Sequence, residues 1–242
     1  MADVELPLTS HLAELRQRLS RALIGIVVAF AFCYPNSPAI FAFLLAPLYE
    51  ATGGDSTAVT LIGTGVAEAF FTRLKVSFLA ALFVALPVIL YQVWMFVVPG
   101  LRSMEARYAR GFVLVGSLFF LGGAWFCYEV VFAFGFPFFL EEYRRIGVDP
   151  TIRISEYLSF SSRLLLAFGI TFELPVVTFF LARIGLVTHT TLINYGRYAF
   201  LATFVLAAIL TPPDVVSQIL MAGPLLLLYG LSIGVAYLFG RH

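Results

Sequence analysis

Charged residues are scarce in this sequence. Only 12% of its 242 residues are Asp, Glu, Lys or Arg, whereas 61% are hydrophobic. Average soluble domains carry about 25% charged and about 45–50% apolar residues. A single core of this size cannot hide so much apolar surface from water. The composition therefore excludes an ordinary soluble enzyme, a disordered chain and a nucleic-acid binder with a basic face, and it indicates an integral membrane protein.

Cysteine and histidine are also few, with two and three residues. The sequence contains no CxxC pair, no Cys/His cluster, no HExxH and no Walker A motif. It therefore predicts no metal site, no cofactor and no disulfide framework. The formal net charge of +1 gives no reason to expect a nucleic-acid partner.

Long apolar stretches, in contrast, are abundant, and they predict an all-α membrane protein with six spans in one polytopic domain over residues 1–242. About 20 helical residues cross the roughly 30 Å hydrocarbon core of a bilayer. Most of the stretches reach that length, but the fifth has only 13 residues and would extend about 20 Å, which predicts a short span in a thinned bilayer. The stretches are Leu19–Tyr34, Phe78–Val98, Gly111–Phe134, Leu164–Ala182, Tyr198–Leu210 and Val215–Phe239.

Basic residues are distributed unevenly between the two sides of these spans. Six spans place both termini on one side, and with that side inside, nine of the 15 Lys and Arg residues fall in inner segments. The positive-inside rule therefore predicts cytoplasmic termini. Two short amphipathic pieces in the long outer loops, Ala39–Pro47 and Ser155–Ser162, are predicted to be interfacial helices.

The N-terminal segment, residues 1–18, has the pattern of an amphipathic helix. Leu12, Leu15 and Leu19 share one face, and Glu14 and Arg18 form an i,i+4 pair in the favourable orientation. An interfacial helix before the first span accounts for this pattern without any functional role.

Polar residues inside the spans are candidates for function. Glu173 is the tenth residue of the fourth stretch, where a carboxylate costs about 2.5–3.5 kcal/mol on insertion scales. Asp214 is either an N-cap or a functional acid, and Gln218, one turn later, is predicted to make an interhelical contact worth about 0.6–2 kcal/mol. A proton-coupled solute carrier built around Glu173 is an alternative function, although no internal repeat supports it.

The string from Gly230 to Gly234 matches the G-x-S-x-G pattern of serine hydrolases. It lies inside the sixth stretch, and all three histidines fall in inner segments, so no base can reach Ser232. Gly230 and Gly234 are better interpreted as a small-residue packing face.

Seven ordered segments of the sequence resemble TatC, the multispanning core of the twin-arginine protein translocase. The resemblance covers essentially the whole chain. The segments are 11–19, 46–48, 85–94, 96–101, 128–132, 168–175 and 211–218.

The resemblance implies six bent helices in a concave, glove-like bundle, with the last two helices short. It also implies a function that is not enzymatic: recognition of folded export proteins by a paired-arginine signal peptide, recruitment of the single-span subunits TatA or TatB, and transport driven by the proton-motive force. An oligomer of TatC-containing units in a cytoplasmic membrane is expected.

Site residues follow from the same resemblance. Glu14 and Glu105 match the acids that contact the signal's two arginines, which fits the bidentate bonds between guanidinium and carboxylate. Arg16 is expected to support Glu14. The motif that opens the first inner loop is expected to shape the same site, through Phe96, Pro99 and Leu101.

Other matched positions lie elsewhere in the chain. Glu173 matches a membrane acid, Asp214 and Gln218 match a region that docks the partner subunits, and Pro47 and Pro87 match structural prolines. The outer end of the third span departs from the family pattern, with Glu129 after Tyr128 and Ala133 after Phe132, so the resemblance assigns no role to Tyr128.

Overall fold

The computed structural model describes residues 8–54, 59–97, 109–211 and 215–240, and most of these are helical. A π-helical turn, Cys127–Val131, joins the helix Ala109–Phe126 to the helix Phe132–Arg145. The elements in chain order are α1 Leu8–Cys33, α2 Ser37–Glu50, β1 Thr60–Ile62, α3 Glu68–Val97, α4 Ala109–Phe126, α5 Phe132–Arg145, β2 Thr151–Arg153, α6 Ile154–Phe172, α7 Leu174–Arg183, α8 His189–Leu210 and α9 Val215–Phe239.

Among the described residues, five helical segments are individually long and apolar enough to cross a membrane: 68–96, 111–145, 154–183, 189–210 and 215–239. The first two helices, α1 and α2, meet the same requirement only as a pair, and the chain bends by 88° between them. The predicted all-α membrane fold with six spans is therefore confirmed. The separate helix predicted over Ala39–Pro47 is α2.

The fifth span is longer than its apolar stretch. The prediction of a 13-residue span is wrong because α8 begins at His189 and has 22 residues, which extend about 33 Å at 1.5 Å per residue. Thr188 starts the helix by accepting a hydrogen bond from the backbone N of Thr191 at 3.2 Å. Polar residues in the first turns lower the local hydropathy, so the apolar stretch in the sequence does not include this part of the helix. The last two spans, with 22 and 25 residues, are still shorter than the three before them.

The segment Ser155–Ser162 is not a separate interfacial helix, so that prediction is also wrong. It forms the first turns of α6, which runs without interruption to Phe172. After Glu173 the span continues as α7, with Pro175 near its start. Proline fits there because the first helical positions need no intrahelical N–H donor.

The described residues fall into two compact units that alternate along the chain, one within residues 1–40 and 73–117, the other within 41–72 and 118–242. The organisation as one polytopic domain stays a prediction. In the first unit, α1 and α3 pack through small residues: Ala29, Cys33, Ala81 and Ala85 form a buried cluster. Small side chains let helix backbones approach closely in a membrane.

In the second unit, α4 and α6 make their closest approach at two glycines. A Cβ added to Gly123 would lie 2.6 Å from the backbone oxygen of Phe168. A Cβ added to Gly169 would lie 2.8 Å from the ring of Phe120. By contrast, nothing lies within 4 Å of a Cβ added to Gly230 or Gly234, so the predicted packing face in α9 is wrong for the described residues.

The loops before α3 and before α6 are joined by backbone pairing and by one carboxylate. Strands β1 and β2 are parallel neighbours, with Leu61 opposite Ile152. Glu68 Oε1 accepts a hydrogen bond from the backbone N of Ser155 at 3.2 Å, and its Oε2 accepts from the backbone N of Thr64 and of Gly65 at 2.6 and 3.1 Å. Glu68 lies in the first turn of α3, where a carboxylate is favoured beside the unpaired backbone N–H groups.

Pro47 explains one of two contacts on α2 that the sequence did not reveal. Proline has no N–H, so the carbonyl of Phe43, four residues earlier, loses its usual helical donor. The Tyr128 hydroxyl donates to that oxygen at 2.8 Å, and the two rings stack 4.4 Å apart. The Tyr157 hydroxyl donates to the next carbonyl, that of Leu44, at 2.6 Å. The π-helical turn that contains Tyr128 therefore braces α2.

Replacing Tyr157 by phenylalanine is expected to lower the free energy of unfolding by about 1–2 kcal/mol, because the change removes the hydroxyl donor from a buried contact. The Tyr157 side chain is only 4% exposed, so water cannot replace the donor. Unfolding of the purified protein in detergent measures the effect. Tyr143→Phe, at a 38% exposed position, is the matched control; an equal loss in both variants would contradict the bracing role.

Candidate functional site

The candidate site lies in the first compact unit, at the N-terminal part of α1. The amphipathic segment predicted before the first span is continuous with it, because α1 runs from Leu8 to Cys33 without a break. Glu14 and Arg18 lie on the same helical stripe as the buried residues Ala22 and Ala29, since positions spaced by three or four share a face. The ion pair therefore continues the packing face of α1.

The packing of α1 on α3 determines which part of α3 lies beside Glu14. Ala29 and Cys33 cluster with Ala81 and Ala85, and a Cβ added to Gly25 would lie 3.1 Å from Val88. Residue numbers thus rise along α3 as they fall along α1, so the helices are antiparallel. Glu14, eleven residues before Gly25 on α1, therefore lies toward the C-terminal end of α3.

The Glu14 carboxylate is held by Arg18. Arg18 Nη2 and Nε donate to the same oxygen, Glu14 Oε1, at 3.0 and 3.4 Å. The two side chains are only 17% and 24% exposed. The predicted i,i+4 pair is therefore confirmed. Arg16 is exposed, and its supporting role stays a prediction.

The C-terminal end of α3 carries the aromatic residues of the candidate site. Trp94 and Phe112 pack with ring centroids 4.7 Å apart, which joins the end of α3 to the start of α4. Phe96 is partly buried on the last described turns of α3. Gln92 is buried one turn earlier, and its Oε1 accepts no hydrogen bond from any described residue.

Four of the predicted site residues lie outside the described residues: Pro99, Leu101, Glu105 and Asp214. Their proposed roles stay predictions. The first three follow α3 in the sequence, which ends at Val97 among the described residues.

Glu173 lies at the break between α6 and α7. Its backbone N donates to the Ile170 carbonyl at 3.1 Å, and its own carbonyl accepts from the backbone N of Val177 at 2.8 Å. Its Oε1 is buried and accepts no bond from the described residues. Glu173 is the twentieth residue of the 30-residue span Ile154–Arg183, so it lies about 7 Å beyond the midpoint rather than at the centre.

Gln218 makes the interhelical contact that the sequence predicts. Its Nε2 donates to the backbone oxygen of Phe204 at 3.0 Å, which links α9 to α8. Ser232, in contrast, is 1% exposed and donates to the Leu228 carbonyl at 2.9 Å. This burial agrees with the rejection of Ser232 as a nucleophile. Pro87 lies inside α3 without ending the helix.

Sequence comparison identifies a family over most of the chain. The model of the family "Sec-independent protein translocase protein (TatC)" matches residues 10–224. The chain is 46% identical over 235 residues to Sec-independent protein translocase protein TatC of Desulforapulum autotrophicum, covering 97% of this chain and 86% of that protein. It is 45% identical over 226 residues to the protein of the same name from Campylobacter jejuni, covering 93% and 91%.

A solved structure has the same fold. The crystal structure of the twin arginine translocase receptor TatC superposes with a TM-score of 0.85 at 35% sequence identity, covering 96% of this chain and all of that one. The likeness in fold and the likeness in sequence therefore point to one family.

Proposed function

The chain belongs to the TatC family of Sec-independent protein translocases, and on that premise we propose that Glu14 and Glu105 bind the two arginines of a twin-arginine signal peptide. The protein is a membrane-embedded translocase component. The comparisons favour this function over the alternative of a proton-coupled small-solute carrier, since the relatives are named as translocase proteins.

The antiparallel packing of α1 on α3 is the observation that carries the proposal. It supports a common location for Glu14 and the segment that begins after Val97, which contains Glu105. Two carboxylates at one location would accept two guanidinium groups through charge-assisted bonds. Phe96, Pro99 and Leu101, which precede Glu105, would shape the apolar wall of that site, and exposed Arg16 would support Glu14.

The proposed orientation has both termini in the cytoplasm of a bacterial or archaeal cell. The excess of basic residues in the segments on that side supports it. The signal peptide would then bind before its cargo crosses the membrane. Transport of the folded cargo would draw on the proton-motive force, without any enzymatic step in this chain.

The proposed docking region for TatA or TatB lies on α6–α9, within an oligomer of TatC-containing units. Gln218 links α9 to α8, and Asp214 precedes it by four residues in the sequence. The buried Oε1 of Glu173, which accepts no hydrogen bond from the described residues, supports a role as an acceptor for a polar group of a partner helix, because an unpaired polar atom in a membrane is costly.

Photo-crosslinking from α1 tests the peptide site. A crosslinker at Gln17, an exposed neighbour of Glu14, leaves the carboxylate intact. We expect crosslinks to a signal peptide with Arg-Arg, and at least about tenfold fewer with Lys-Lys, because lysine lacks the bidentate fork. A crosslinker at Ile146, exposed at the outer end of α5, should capture neither peptide. Equal labelling by both peptides at position 17, or labelling at position 146, would refute the site.

A further inference from the structure

The contact between Arg18 and Glu14 is one-sided. Two nitrogens of the guanidinium, Nη2 and Nε, converge on Glu14 Oε1. No described residue donates a hydrogen bond to the second carboxylate oxygen, Oε2. Within the described residues, the carboxylate therefore has one oxygen that accepts from Arg18 and one oxygen without a donor.

Arg18 is anchored by its position on α1. It lies one turn before buried Ala22, on the stripe that packs against α3. Side chains of a helix point toward its N-terminus, so the guanidinium reaches back one turn to Glu14. The small exposed fractions of both side chains mean that solvent screens this pair less than an ordinary surface pair.

We propose that Arg18 is a positioning residue that sets the preference of this site for arginine over lysine; this inference rests on the proposed function of Glu14. The charge of Arg18 offsets the charge of Glu14, which weakens the attraction that any incoming cation feels. Its two contacts also hold Oε1 in place, so that Oε2 is the oxygen that an incoming cation meets.

These two effects act differently on the two cations. An ammonium group gains mostly from charge and can approach an oxygen from many directions. A guanidinium can direct two N–H groups at a single oxygen, as Arg18 does at Oε1, and an acceptor held in place reduces the entropy lost on binding. The charge of Arg18 therefore weakens the binding of both cations, whereas its effect on the carboxylate geometry strengthens the binding of arginine only.

Binding of Arg-Arg and Lys-Lys signal peptides to the purified full chain in detergent tests the inference. In Arg18→Met we expect the Lys-Lys peptide to bind about tenfold more tightly, while the affinity of the Arg-Arg peptide changes about threefold or less, so the ratio of the two affinities falls. Arg18→Lys keeps the charge but loses the fork; we expect the Arg-Arg peptide to bind about tenfold more weakly, with the Lys-Lys affinity unchanged. Arg21→Met, at the next cation along α1 and exposed, should keep the wild-type ratio.

The outcomes separate this inference from the proposed function. If the wild-type chain does not discriminate between the peptides, or if Glu14→Gln binds the Arg-Arg peptide as the wild type does, the proposed function of Glu14 fails. If the wild type discriminates between the two peptides and both Arg18 variants keep the wild-type ratio of the two affinities, the proposed role of Arg18 is refuted. The proposed function of Glu14 is then unaffected. Thermal unfolding of each variant, measured alongside peptide binding, shows whether the variant is folded. If Arg18→Met does not fold, the affinities of Arg18→Lys test the role of Arg18.

Discussion

Replacing Glu14 by glutamine is expected to weaken the binding of an Arg-Arg signal peptide by about 10- to 100-fold. Glutamine keeps the size of the side chain and one acceptor oxygen but removes the negative charge. Hydrogen bonds to charged groups contribute about 1.5–3 kcal/mol, and about 1.4 kcal/mol corresponds to a factor of ten in affinity. Titration of a labelled peptide against the purified protein measures the change.

Glu142→Gln is the matched control for this variant. Glu142 also accepts from an arginine, Arg145 Nη1 at 2.9 Å, but the pair is largely exposed at the end of α5. Loss of that pair should leave the peptide affinity unchanged. It should change the free energy of unfolding by no more than about 1 kcal/mol. The peptide site would have to be sought elsewhere if Glu14→Gln bound the Arg-Arg peptide as tightly as the control.

Replacing Gly123 by alanine is expected to destabilise the protein by about 3 kcal/mol or to prevent its folding. The added methyl group would lie 2.6 Å from the Phe168 carbonyl oxygen and 2.7 Å from the Phe172 side chain. A backbone oxygen cannot move aside unless α4 and α6 separate, and overpacking of this kind costs about 1–3 kcal/mol, occasionally more. The yield of folded protein and its unfolding in detergent measure the loss.

The adjacent glycine provides a close control. Nothing lies within 4 Å of a Cβ added to Gly122, and alanine is favoured over glycine within a helix by about 1 kcal/mol. Gly122→Ala should therefore be neutral or stabilising, although it makes the same chemical change one residue away. Similar stabilities for the two variants would show that α4 and α6 do not meet at Gly123.

The properties that could be read from the sequence depend on residues close together in the chain. Hydropathy averaged over about 20 residues locates a span, so the six membrane helices were predictable. The Glu14–Arg18 pair follows from helical spacing alone. Gln218 was recognisable as an interhelical donor because a polar side chain inside an apolar helix needs a partner. Ordered motifs along the whole chain identified the TatC family.

Local averaging also limits what hydropathy can locate. Asn194 and Arg197 lower the hydropathy of the first turns of α8, so the apolar stretch starts nine residues after the helix does. Ser155–Ser162 looked like a separate amphipathic piece, although it is continuous with the rest of α6. A helix continues wherever backbone bonding and a cap allow, whether or not the side chains are apolar.

Contacts between distant segments were decided by the tertiary structure alone. The sequence pattern indicated a packing face at Gly230 and Gly234, but nothing lies within 4 Å of a Cβ added to either, and the close approach of α4 and α6 is at Gly123 and Gly169. The Tyr128 hydroxyl reaches Phe43 across 85 residues. The sequence by itself determined the membrane helices, the family and the local ion pair. The fold decided which faces meet, because such contacts depend on how helices far apart in the chain are brought together.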